Sequence, residues 1–180
     1  MRTYAIIALV IAVSGFLYLA NKKDSPSTSD NQRLEVAKAI DSTSVNETFS
    51  FPLKDSKGVE VSKVEYTVED TELKNEILVK GKKASSVTGR TFLVVNIKIK
   101  NTYGKSIDVA TRDYLRLSVN GNESEWLAPD IHNDPVTVQA DSVKMTRLAF
   151  PINETDKDLK LRIGELSSEK KIIPLDLKYQ

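Results

Sequence analysis

Between residues 91 and 101 the chain alternates: Leu93, Val95, Ile97 and Ile99 take the odd positions, with Asn96, Lys98 and Lys100 between them. A period of two sends successive side chains to opposite faces of an extended strand, one toward a core and one toward water. The pattern recurs. Leu115, Leu117 and Val119 alternate with Tyr114, Arg116 and Ser118; Leu159, Leu161 and Ile163 alternate with Lys160 and Arg162; Ile173, Leu175 and Leu177 repeat it. Pro174 in the last run cannot donate to a ladder, which marks an edge strand. In residues 59–68 the apolar phase slips between Val61 and Val64, and in 143–152 it slips from Val143 and Met145 to Leu148, Phe150 and Ile152. An extra residue in a β-bulge produces such a slip.

Turn chemistry supports the same architecture. Asn120-Gly121 suits a type I′ hairpin turn, in which both central residues need positive φ. Residues 101–105 and 164–169 are further turn regions. About eight strands punctuated by turns, with no long helical pattern, predict an all-β sandwich or barrel over residues 51–180. Phe51, Phe92, Trp126 and Phe150 are the large side chains available for its core.

Composition excludes several chemistries. The 180 residues include no cysteine, which removes disulfides, thiolate nucleophiles, cysteine zinc ligands and a lipidated cysteine. Lys and Arg total 26 against 25 acidic residues. That balance argues against a nucleic-acid partner, because binding phosphates requires clustered positive charge.

Residues 4–20 carry no charge, with Arg2 before them and Lys22 and Lys23 after. A helix of that length is about 25 Å long, slightly short of a hydrocarbon core of about 30 Å. Residues 1–20 are read as a signal anchor or a signal peptide. Cleavage after Ala20 would put bulky Tyr18 at the −3 position, where small residues are preferred, so an uncleaved anchor is the favoured reading. The flanking charges alone favour the opposite orientation, but an export segment implies an extracytoplasmic C-terminal part. Residues 21–50 are mostly polar and read as a tether, too poor in apolar surface to offset chain entropy. Asp30 could cap a short helix over 31–40 within it.

Four stretches resemble a known family: GRTFLVVNIKIKN at 89–101, YLRLSVNG at 114–121, VQADSVKMTRLAFPI at 138–152 and DLKL at 158–161. Together they resemble the immunoglobulin-like domain-of-unknown-function family of exported bacterial proteins, over roughly residues 59–177. Where that family usually has Pro-Gly, this sequence has Ala140-Asp141. The resemblance implies an immunoglobulin-like β-sandwich behind an export segment and a linker. It implies no catalytic residues and no cofactor.

The loop 123–134 contains the only histidine, His132, with Asp130 and Asp134 nearby. These are the candidate metal ligands, although their spacing matches no recognised site. Glu123 and Glu125 lie two apart, on one face if that segment is a strand. No GxSxG nucleophile elbow is present. Lys80, Lys82, Lys83 and Arg90 form a basic run in an expected loop, either solvated or in contact with an anionic lipid or polymer. Sequons at Asn46, Asn122 and Asn153 carry little meaning in a bacterial chain. The leading expectation is a non-enzymatic extracytoplasmic binding or interaction module, tethered to the membrane through residues 4–20, with a protein or cell-envelope partner. The alternatives are a metal-dependent hydrolase centred on the His132 loop and a structural subunit of an envelope assembly.

Overall fold

The computed structural model describes residues 36–165 and 168–179. The chain from Val36 forms one compact unit built almost wholly from antiparallel strands. One sheet has the order β1-β2-β5-β9, made of Asp41–Lys54, Glu60–Lys74, Arg90–Asn101 and Ser142–Asn153. A second has the order β11-β10-β7, made of Lys171–Pro174, Lys160–Ile163 and Leu115–Ser118. Two short pairs complete the set: β3 (Glu76–Val79) with β4 (Lys82–Ser85), and β6 (Ile107–Val109) with β8 (Val136–Val138).

The two larger sheets bury their inner faces against each other, which makes the fold an all-β sandwich. Leu93, Val95, Ile97 and Ile99 of β5 are fully buried, as their alternation predicts. They share one core with Val64, Tyr66 and Val68 of β2 and with Leu115, Leu117, Leu161 and Ile163 of the second sheet. Burying an aliphatic side chain of this size contributes about 1.5–3 kcal/mol. Asn101, at the end of β5, is buried too. Its side-chain amide donates to the carbonyls of Lys105, Val138 and Gln139, and its oxygen accepts the N–H of Tyr103. This one residue therefore fastens the following turn to the strand that returns beside it.

Several sequence expectations are met in detail. Leu53 pairs with Ser62 and Lys54 with Glu60, leaving Val61 as the extra residue where the apolar phase slips. Asn120 and Gly121 both have positive φ, 56° and 67°. β11, with Pro174, is an edge strand.

Other expectations are corrected. β1 begins at Asp41, inside the stretch 21–50 read as linker. It is an edge strand, so one alternating set of residues receives only partial cover and polar side chains are tolerated. Its ladder to β2 and the Thr48–Thr67 hydroxyl contact at 2.9 Å hold it. Residues 36–40 contain no helix; the rest of the proposed 31–40 helix, and the segment 4–20, lie outside the described residues. The β5–β9 register runs without interruption, so 143–152 contains no bulge. Val143 and Met145 are instead exposed on the outer face of β9. Trp126 is only half-buried and stays outside the core, whereas Phe51 and Phe150 enter it. Phe92 goes to a second cluster, where the β3–β4 hairpin lays Ile77 over Phe92, Val94 and Ala149.

Candidate functional site

The His132 loop passes from the edge strand β7, where Leu127 bridges Leu117, to the edge strand β9, where Ile131 bridges Ala149, and lies beside a 3-10 turn, Thr111–Tyr114. Asp134 precedes a cis peptide bond to Pro135, and its carboxylate is aimed at the first residues of that turn. Oδ1 accepts the backbone N–H of Thr111 at 2.8 Å and the Thr111 hydroxyl at 2.5 Å; Oδ2 accepts the N–H of Arg112 at 2.8 Å. A short helical turn leaves such N–H groups without partners, and a carboxylate there satisfies them. Beneath the turn, the buried Tyr66 hydroxyl donates to the Thr111 carbonyl at 3.3 Å. Burial pushes the Tyr66 phenol well above its ordinary pKa, with the Asp134 charge and then Tyr114 adding to the rise.

His132 is held from both sides. Its Nδ1 faces the N–H of Asp134 at 3.2 Å, and its Nε2 faces the Arg112 guanidinium at 3.2 Å. Each ring nitrogen thus already faces a polar neighbour, which an ion there would have to displace. Asp130 belongs elsewhere. It is exposed and borders a cleft of about 490 Å³ with Arg90, Asn120 and Asp156. The structure thus brings His132 and Asp134 together and leaves Asp130 apart. Among the described residues no group of three or more His, Asp or Glu side chains could hold a metal ion.

The remaining candidates are also structural in their contacts. Glu123 lies in a turn rather than on a strand and pairs with Lys160. Glu125 shares that irregular segment, so the two glutamates do not form a strand face. The basic run is a hairpin, not a loop: Lys80 and Gly81 have φ of 49° and 76° at its tip. Lys83 pairs with Glu76 at 3.1 Å, and Arg90 donates to the Pro151 carbonyl at 2.8 Å. A groove of about 770 Å³ opens between β1 and β11 over Phe49, Phe51, Ile163 and Ile172.

An uncharacterized β-sandwich protein from Clostridium difficile is 14% identical to this chain, with a TM-score of 0.52, over 66% of this chain and 89% of its own. The two share that β-sandwich fold. A conserved hypothetical protein from Bacillus anthracis is 16% identical, with a TM-score of 0.50, over 74% of this chain and 96% of its own. No family profile matches the sequence. No curated protein is similar to it. At these identities the likeness speaks for the fold alone. Arg116 of β7 and Arg162 of β10 are register partners, a pairing with no sequence signal of its own, because cross-strand register is absent from a linear pattern.

Proposed function

We propose that this chain is a non-enzymatic binding or interaction module of the immunoglobulin-like kind, held on the extracytoplasmic side of a membrane by residues 4–20. The observation that carries this reading is the use made of Asp134. Its oxygens are taken up by Thr111 and Arg112, so the sequence's most suggestive polar constellation serves as a scaffold for a turn. The charge-free run 4–20 supports the anchor. The passage of the chain between sheets, from β5 to β7, back to β9 and on to β10, supports the immunoglobulin-like assignment.

The experiment is metal analysis of the purified chain combined with thermal melting. The expected result is no stoichiometric metal and a melting temperature that does not move on adding a chelator. One ion per chain, lost in His132→Ala, would put the metal-dependent hydrolase in place of this reading.

A further inference from the structure

The outer face of the second sheet places two arginines in direct opposition. Arg116 of β7 and Arg162 of β10 are register partners, and Ile172 of β11 stands opposite Arg162 on its other side. Like charges set opposite one another repel, so the pair is unfavourable for the isolated domain. Neither guanidinium joins an ion pair among the described residues. Arg162 lies over the Trp126 ring, 4.3 Å from its centroid, and its Nε is buried without a hydrogen-bond partner. The indole N–H donates to the Glu123 carbonyl at 2.8 Å, which fixes the ring. Arg116 is held as well, by donating to the carbonyls of Arg112 and Leu115. The neighbouring Glu123 carboxylate is committed to Lys160.

Two guanidinium forks, each fixed in place and without an anion, match the planar geometry of a carboxylate. Trp and Arg together are the residue types that concentrate binding energy at protein interfaces. Ile172 is 41% exposed beside them. The exposed apolar Ile172 favours a protein segment over a hydrophilic phosphodiester polymer, which would gain nothing from it. We propose that this face docks an extended acidic segment of a partner protein. A carboxylate lies across Arg116 and Arg162, and an apolar side chain two residues away rests on Ile172, the next residue in the same row across the sheet. This rests on the reading of the domain as an interaction module and names its partner class.

Trp126 is the only tryptophan in the chain, so its fluorescence reports on this face alone. The test titrates the full chain with a synthetic peptide in which Glu and Leu are separated by one serine, the spacing that puts both on one strand face. The expected result is a saturable change in Trp126 emission that weakens with salt. Arg162→Gln and Arg116→Gln should each weaken it about tenfold or more, as loss of a central anchor does. Lys82→Gln, on the β3–β4 hairpin, should leave it unchanged. Circular dichroism checks that each variant is folded; Arg162→Lys, which keeps the charge and loses the fork, should bind less tightly than the unaltered chain. No response from the unaltered chain, full binding by both glutamine variants, or equal binding of inorganic polyphosphate would overturn the proposal. Such a failure would leave the membrane-held module standing, since metal content and membrane retention are measured separately.

Discussion

Tyr66 links the core to the candidate loop. Its ring packs against Phe51 and Tyr114 at centroid distances of 5.9 and 5.7 Å, and its hydroxyl reaches the Thr111 carbonyl. Burial, then the charge of Asp134, then Tyr114, keep its proton on well above the ordinary range. An unfolded tyrosine loses its proton near pH 10. Below that pH both states hold the proton and the group contributes no pH dependence. Above it the unfolded chain releases a proton that the folded chain retains, so stability falls as pH rises. Tyr66→Phe should flatten this alkaline loss, at a cost near neutrality of about 0.5–1.5 kcal/mol for the missing hydrogen bond. Some slope should remain, because burial and then the charges of Glu165 and Asp113 raise Tyr114 too. Denaturant melts of both proteins between neutral and strongly alkaline pH measure the difference. An identical alkaline limb in the variant would show that Tyr66 is not the group responsible.

At the scale of elements, strands with a complete apolar face are legible in the sequence, and the edge strand β1 is not. β5 announces itself because Leu93, Val95, Ile97 and Ile99 all reach full burial. The bulge at Val61 was legible for the same reason: a slipped residue moves the next apolar set to the other face. In β1 the stretch before Phe51 offers only Val45 and Phe49 as apolar residues, and the register shift between Ser44 and Glu47 interrupts even that alternation. The supposed bulge in 143–152 was a misreading of two exposed apolar side chains, Val143 and Met145, as core residues. The candidate loop was legible as a cluster of residue types, but not in its role, which depends on hydrogen bonds to Thr111 and Arg112 far back in the chain. β1 yields a prediction. A chain starting at Phe51 loses the pairing of Asp41 to Ser50 with β2 and exposes that long edge. It should melt at a lower temperature than a chain starting at Val36 and aggregate more readily. Equal melting temperatures and equal solubility would mean that the first half of β1 contributes little to the sandwich.

For the whole molecule, the question is what holds the sandwich near a membrane. Among the described residues no helix is long and apolar enough to cross one, so an anchor would have to be the run 4–20. Two forces could retain the protein, and they respond differently to salt. Attraction of surface lysines to anionic lipid is screened within about 10 Å at 0.1 M salt and over still shorter distances at higher concentration. Burial of apolar side chains in lipid does not depend on charge and survives such a wash. Part of the described domain's positive charge is already neutralised, since Lys83, Lys98 and Lys100 are paired with glutamates at 3.1 to 3.3 Å. The proposed anchor therefore predicts that the full chain stays with membranes through a high-salt wash and leaves only with detergent. A variant in which Ile11 and Val13, at the middle of the run, are changed to lysine should be lost from that fraction, since a charge at the centre of a spanning helix costs about 2.5–3.5 kcal/mol. Mass spectrometry of the retained protein should find residues 4–20 still attached. A mature chain beginning near Asn21 and free in the extracytoplasmic fraction would overturn the anchor and leave a secreted, diffusible sandwich, whose acidic partner would then have to be sought in solution.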